Sequence, residues 1–148
     1  MYAHQRRSYY GGMVQVWQHE YHEKIYVTDV NSMYPYQMTK EMPWEYIDEV
    51  EYEPDKGSML MEEPHFDMYL FEVNWYSLPP TFKGSFVCTK SEETGKNQYF
   101  SSFKAIDEYL YIRGVTVRRI LHHKGEVSWL RCWRYTPNDI HWLRDYAE

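Results

Sequence analysis

The sequence has little cysteine, no long apolar run and no excess of positive charge. Its two cysteines, Cys88 and Cys132, lie far apart and form no Cys-x-x-Cys pair, which favours reduced core thiols over a disulfide framework or a zinc ribbon. No stretch approaches the roughly 18 apolar residues of a membrane span, and Met1–Arg7 precedes no apolar secretory core. We therefore expect a soluble, intracellular protein with no membrane partner.

Several catalytic and metal-binding signatures are also missing. The sequence contains no Gly-x-Ser-x-Gly, no phosphate-binding Gly-Lys-Ser/Thr loop and no dinucleotide fingerprint. Its histidines and cysteines form no recognised zinc-ligand pair. The residues considered for such a site are His19, His22, His65, Cys88, His122, His123 and Cys132. We interpret them as scattered side chains.

The formal net charge is −6, whereas proteins that hold nucleic acid by its phosphates usually carry an excess of Lys and Arg. Residues 41–63 are strongly acidic, and the last third is basic. The basic positions are Arg113, Arg118, Arg119, Lys124, Arg131 and Arg134. They form either a local basic face or a solvated surface.

The chain has 148 residues and is 19% aromatic, enough for one compact domain with a real core. Trp129, Trp133, Tyr135 and Trp142 are interpreted either as a surface that stacks bases or binds a protein, or as sheet core. At this spacing we favour core.

The sequence pattern predicts strands and short helices. Strands are expected at Met13–Trp17, Lys24–Asp29, His65–Trp75, Phe82–Thr89, Gln98–Phe100, Val115–Leu121 and Val127–Tyr135. Helices are expected at Tyr34–Met38 after an Asn31-Ser32 cap, at Phe103–Arg113, and from Thr136-Pro137 through Ile140 and Leu143. Residues 42–64 are expected to be loop with short strands, and Lys124-Gly125 a turn between two strands. The predicted fold class is α+β with a mostly antiparallel sheet and two or three short helices.

Asp29 ends a predicted strand immediately before a predicted helix. A carboxylate there suits a metal-bound triphosphate, because carboxylates are natural ligands for Mg²⁺ in phosphoryl transfer. The Ser32 hydroxyl and nearby amides would meet the phosphates, and Tyr34 would lie beside the sugar and exclude a 2′-hydroxyl. Alternatively, Asp29 and Ser32 cap the helix and Tyr34 is a core aromatic.

The segment Asp29–Pro35, Asp-Val-Asn-Ser-Met-Tyr-Pro, resembles the first catalytic motif of family B DNA polymerases. Its form is that of the protein-primed enzymes of bacteriophages and linear plasmids. Upstream, Tyr9–Gly12, Tyr-Tyr-Gly-Gly, resembles the segment that joins the exonuclease and polymerase domains in that family and touches DNA. The resemblance implies a cytoplasmic protein of a bacterial or phage-infected host cell.

The resemblance also implies residue roles. Asp29 would be catalytic, and Mg²⁺ would be held by Asp29 and Val30 in a completed active site. Nucleotide contacts would come from Val30, Asn31, Ser32, Met33 and Tyr34, and DNA contacts from Tyr9, Gly11 and Gly12. Residues 1–42 would be a palm-like segment and residues 43–148 an insertion-like region that contacts terminal protein and duplex, together forming one compact unit.

Two family motifs, Tyr-x-Asp-Thr-Asp and Asn-Ser-x-Tyr-Gly, do not occur in the sequence. Tyr46–Glu49 imitates the start of the first, and we interpret it as an acidic surface loop. Nothing before Tyr9 could hold the exonuclease. We therefore expect a fragment or split piece of a protein-primed polymerase, inactive alone, that acts on DNA and dNTP with terminal protein or the missing polymerase portion. The alternative is a non-catalytic module that binds terminal protein or another replication partner.

Overall fold

The computed structural model of the protein describes residues 2–9, 18–53, 57–82, 87–90, 94–105 and 109–138. Four α-helical segments occur in this part: α1 (Tyr2–Arg7), α2 (Met33–Met38), α3 (Gly57–Leu60) and α4 (Gly114–His122). A 3-10 helix spans Phe66–Met68. The strands are β1 (Pro43–Glu51), β2 (Leu70–Ser77), β3 (Val87–Lys90), β4 (Asn97–Phe100), β5 (Ser102–Lys104), β6 (Leu110–Arg113) and β7 (Glu126–Pro137).

Five of these strands form one antiparallel sheet in which β7 lies between β1 and β2. On its other edge, β2 pairs with β6 along Leu70–Val73 and with β5 along Trp75–Ser77. Strands β5 and β6 therefore lie end to end along one edge of β2. Strands β3 and β4 form a separate antiparallel pair. This arrangement confirms the predicted α+β class with a mostly antiparallel sheet.

The main core lies on the sheet face that α4 and the 3-10 helix cover. Phe71 and Val73 point to this face because alternate residues of a strand share a side, and they pack with Val117 and Ile120 of α4. Cys132 lies in the same cluster as a free, buried thiol, and burial raises its pKa. The prediction of a reduced core thiol is confirmed for Cys132.

The opposite sheet face carries a smaller apolar cluster and α1. Leu70, Trp133 and Tyr135 are buried there. From α1, the Gln5 side-chain amide donates to the Tyr135 hydroxyl at 2.9 Å, and the Arg7 guanidinium lies 4.9 Å from the Tyr111 ring centroid. Trp129 is buried in the main core, so the interpretation of the tryptophans and Tyr135 as sheet core is confirmed for these three residues. Trp142 lies outside the described residues.

The predicted helix at Phe103–Arg113 is wrong, because β5 and β6 occupy most of this range. Residues 106–108 are not described. In β6 the buried residues Leu110 and Ile112 alternate with Tyr111 and Arg113, and their pairing with β2 satisfies the backbone. Local helical spacing was outweighed by this long-range pairing.

The predicted strand at Val115–Leu121 is also wrong, since these residues belong to α4. Val117 and Ile120 are buried three positions apart, while Arg118 and Arg119 between them face solvent, which is the pattern of an amphipathic helix. Gly114 permits this helix start: a Cβ there would lie 1.9 Å from the Phe66 carbonyl oxygen. The Lys124-Gly125 turn consequently joins a helix to β7.

Other boundaries differ from prediction. The strand expected from His65 begins at Leu70, after the 3-10 helix. Residues 42–64, expected to be loop with short strands, contain one longer strand, the nine-residue β1. The closing helix does not start at Thr136, because β7 continues through Pro137. Its continuation through Ile140 and Leu143, like the predicted strand Met13–Trp17, lies outside the described residues.

The helix at Tyr34–Met38, the strand at Gln98–Phe100 and the strand at Val127–Tyr135 are confirmed by α2, β4 and β7. A strand is also predicted at Phe82–Thr89, and the described part of that range includes the start of β3 at Val87. Within the described residues, no helix has the length and apolar character needed to cross a membrane.

Candidate nucleotide and metal site

The segment from Asp29 to Met38 lies on the outside of the molecule. Its helix, α2, has no buried residue, and every residue from 18 to 38 is exposed. The predicted strand Lys24–Asp29 is wrong: these residues join no strand of the described part. A strand becomes stable only when a neighbour pairs with its backbone, and no described strand pairs with this stretch.

Asp29 presents an exposed carboxylate that makes no hydrogen bond or ion pair with the described residues. Val30, the next residue, is also exposed. Carboxylate and backbone carbonyl oxygens are hard donors of the kind that Mg²⁺ accepts. The pair therefore fits part of a metal coordination shell, and among the described residues no cluster of three or more His, Cys, Asp or Glu supplies the rest.

Ser32 occupies the N-cap position of α2 without acting as a side-chain cap. Its backbone is left-handed, with φ 54° and ψ 40°, and its carbonyl accepts the first helical hydrogen bond from the Tyr36 N–H at 2.9 Å. Its hydroxyl makes no capping hydrogen bond. The alternative interpretation, in which the Ser32 side chain caps the helix, is therefore wrong.

Tyr34 is 83% exposed, so it is not a core aromatic. Its phenol makes no hydrogen bond within the described residues. Met33 and Asn31 are exposed beside it, and the Gln37 amide lies 3.5 Å from the Met33 sulfur. The side chains predicted to meet a nucleotide thus point away from the core along one short segment.

Reciprocal hydrogen bonds attach this segment to the sheet. The Met42 N–H donates to the Asn138 side-chain oxygen at 3.1 Å, and the Asn138 N–H donates to the Met42 carbonyl at 3.1 Å. Strand β1 begins at the next residue, opposite Pro137. The chain is therefore held to the sheet four residues beyond the end of α2.

Of the upstream segment, Tyr9 is described and is 71% exposed, two residues after the end of α1. Its N–H donates to the Arg6 carbonyl at 3.2 Å. Gly11 and Gly12 lie outside the described residues. The structure therefore gives a position for Tyr9 alone among the predicted DNA contacts.

Tyr46–Glu49 does not form a surface loop, because it lies within β1. Asp48 accepts hydrogen bonds from Arg134 of β7, with Nε 2.6 Å from Oδ1. This hydrogen bonding holds the pKa of Asp48 below its usual range. A carboxylate committed to a guanidinium in this way is not a second metal ligand beside Asp29.

Three of the six basic positions of the last third, Arg118, Arg131 and Arg134, are paired with carboxylates in the described part of the chain. Arg134 also contacts Glu63 at 3.4 Å, and Arg118 contacts Asp67 at 2.7 Å. Arg131 contacts Glu49 at 3.1 Å and the buried Glu72 at 3.0 Å. Because β1 lies antiparallel to β7, Asp48 and Glu49 of β1 meet Arg134 and Arg131 of β7 across the sheet. Arg118 of α4 meets Asp67 of the 3-10 helix instead, so three guanidiniums of the supposed basic face are neutralised.

Sequence reasoning missed Glu72, which is 3% exposed. It accepts hydrogen bonds from both Arg131 and the Tyr111 hydroxyl at 3.0 Å. Burial, followed by the Glu72 contact, raises the pKa of Tyr111, and the same carboxylate raises the pKa of Arg131. The available sequence signal was an acidic residue among the apolar residues of a predicted strand, which indicates a buried carboxylate that needs partners.

Comparison with known proteins gives one family. The family model described as DNA polymerase type B, organellar and viral, matches residues 1–113, which is 113 of the 148 residues. The searches of curated proteins and of solved structures return no match.

Proposed function

Because the chain belongs to the organellar and viral type B DNA polymerases, we propose that Asp29–Pro35 supplies one metal-binding carboxylate and the nucleotide-contacting surface of a polymerase centre. Polymerases of this family act in DNA replication, and a complete enzyme interacts with DNA and nucleotides. One observation carries the proposal: the polar side chains of Asp29, Ser32 and Tyr34 are exposed and make no hydrogen bond or ion pair with the described residues.

In this proposal each residue has a distinct role. Asp29, with the Val30 carbonyl, would hold Mg²⁺, which neutralises phosphate charge during nucleotidyl transfer. The Ser32 hydroxyl, held by a left-handed backbone and not used as a cap, would donate to a phosphate oxygen. Tyr34 would lie against the sugar and exclude a 2′-hydroxyl.

The remaining carboxylate would come from a portion of the polymerase that carries Tyr-x-Asp-Thr-Asp, a motif that this sequence does not contain. A single carboxylate seldom supports a two-metal reaction, so this chain by itself would not extend DNA. The Asp-Val-Asn-Ser beginning of the motif supports assignment to the protein-primed branch, with Tyr9, Gly11 and Gly12 on the DNA side.

Complementation tests the proposal. The chain is mixed with a polymerase portion that carries the missing motifs, and extension of a primed template is measured with Mg²⁺. Asp29→Asn should abolish extension, whereas Glu41→Gln, at another exposed acid, should leave it unchanged. Because Asp29 makes no described contact, Asp29→Asn should also change the free energy of unfolding by less than about 0.5 kcal/mol. Extension that survives Asp29→Asn contradicts the metal-ligand role.

The sugar-contacting role has its own measurement. Tyr34→Val should reduce the preference for dNTP over rNTP in the complemented enzyme, whereas the neighbouring exposed Tyr36→Val should not. An unchanged preference in Tyr34→Val contradicts this role, even where Asp29 is required.

A second candidate function is a module that binds terminal protein or another replication partner. It is favoured by the position of the core: every buried residue of the described part lies between Leu60 and Tyr135, within the insertion-like region 43–148. Retention of purified terminal protein by the Asp29→Asn chain would support it. If the chain fails to retain terminal protein while complementation is active, the polymerase role is supported and the binding-module role is not.

A further inference from the structure

A groove of about 490 Å³ opens between α1, the end of α2 and one end of the main sheet. Its floor is formed by Leu70 and Tyr135, and its walls include Met38, Met42, Trp44 and Met68. A groove of this size falls within the range of small-molecule sites. The proposed roles of Asp29 and Tyr34 do not use it.

The sheet topology explains the shape of the groove. The start of β2, the end of β6, the end of β7 and the start of β1 meet at the same end of the antiparallel sheet. Arg113 ends β6 at one side of the groove, and Asn138 follows β7 at the other. Three strand spacings separate β6 from β1, which is about 14 Å. The groove is therefore elongated, with a cation at one end.

Arg113 is the distinctive polar group of this site. It is exposed and makes no hydrogen bond or ion pair with the described residues, whereas Arg118, Arg131 and Arg134 are each paired with carboxylates. An unpaired guanidinium beside apolar walls offers strong, charge-assisted hydrogen bonds to an anion. The Asn138 side-chain oxygen accepts a hydrogen bond from the Met42 N–H. The Asn138 NH₂ group has no acceptor among the described residues.

We propose that this groove binds a small amphipathic carboxylate, with its carboxylate on Arg113 and its apolar chain along Met68, Met42 and Met38 toward Trp44. The walls contain no acidic side chain among the described residues, so a carboxylate meets no repulsion there. A bound ligand contacts Met38, the last residue of α2, and thereby reaches the segment that carries Asp29 and Tyr34.

Decanoate is a suitable probe because its extended length is close to that of the groove. Isothermal titration of the full chain with decanoate should give one saturable site. Arg113→Gln should weaken binding at least about tenfold, the effect of losing a charged hydrogen bond. Arg119→Gln, on the exposed face of α4, is the matched control and should bind as the unmodified chain does. Decanol, with the same chain and no charge, should bind at least about tenfold more weakly than decanoate.

Methyl NMR locates the site independently of affinity. Decanoate should shift the methyl signals of Met38, Met42 and Met68, and should leave that of Met59, which is exposed away from the groove. Circular dichroism of Arg113→Gln should match the unmodified chain, because the Arg113 side chain makes no hydrogen bond or ion pair with the described residues. Absence of a saturable site, equal binding by Arg113→Gln, equal binding of decanol, or shifts confined to other methionines would each overturn the proposal. None of these outcomes tests the proposed metal-binding role of Asp29.

Discussion

Replacing Glu72 by Gln should destabilise the protein far more than replacing Glu49 by Gln, although both carboxylates contact the same guanidinium. Glu72 is 3% exposed and receives hydrogen bonds from Arg131 and Tyr111. Glu49 contacts Arg131 at 3.1 Å, but its side chain is 39% exposed.

The burial of the two acids sets the magnitudes. Hydrogen bonds to charged groups contribute about 1.5–3 kcal/mol each, and Gln retains an oxygen that Tyr111 can use, so Glu72→Gln should cost about 2 kcal/mol. Exposed ion pairs contribute about 0–1 kcal/mol, so Glu49→Gln should cost about 0.5 kcal/mol. Arg131→Met leaves the buried Glu72 charge with Tyr111 as its remaining described donor, and should cost about 3 kcal/mol.

Urea denaturation at pH 7 measures these differences as changes in the free energy of unfolding. High salt screens exposed pairs much more than buried ones, so 1 M NaCl (about a 3 Å screening length) should remove the Glu49 effect and leave most of the Glu72 effect. The double variant Glu72→Gln with Arg131→Met should cost less than the two single changes added together, because no buried charge remains unpaired. Equal costs for the Glu49 and Glu72 variants, or strict additivity in the double variant, would refute the reasoning.

Two further predictions concern α4 and β1. Gly114→Ala should destabilise by about 3 kcal/mol, since its Cβ would lie 1.9 Å from the Phe66 carbonyl oxygen and overpacking commonly costs this much. Gly95→Ala is the control: its φ of +68° strains the new side chain, but no atom of the described residues lies within 4 Å of it, so urea denaturation should show a destabilisation of about 1 kcal/mol. The pKa of Asp48 is lowered by its hydrogen bonds to Arg134, so its contribution to stability should be present above about pH 4, the unfolded value, and be lost as pH falls through the lower folded value. Asp48→Asn should flatten that part of the pH profile by about 1 kcal/mol at most, because Asp48 is 43% exposed; an unchanged acid limb would contradict the assignment.

Local sequence signals were sufficient for part of the fold and for proposing the candidate site. The short helix α2 follows from the Tyr-Pro pair after Asn31-Ser32, and β7 follows from alternation over Val127–Tyr135. The motif Asp29–Pro35 is contiguous, so its recognition needs no knowledge of distant contacts. Family membership over residues 1–113 agrees with it, while the individual roles of Asp29, Ser32 and Tyr34 stay predictions.

Tertiary structure decided what depended on partners far along the chain. Ser102–Lys104 and Leu110–Arg113 form strands because β2 supplies hydrogen bonds across them, and Val115–Leu121 is helical because Val117 and Ile120 share one buried side. Likewise, among the described residues, Asp48 and Glu49 of the acidic middle meet Arg134 and Arg131 of the last third, since antiparallel pairing of β1 with β7 brings these charges together. The sequence by itself determined the local motif and the α+β class; pairing and burial, which act between residues distant in sequence, determined the register, the charge pairs and the groove.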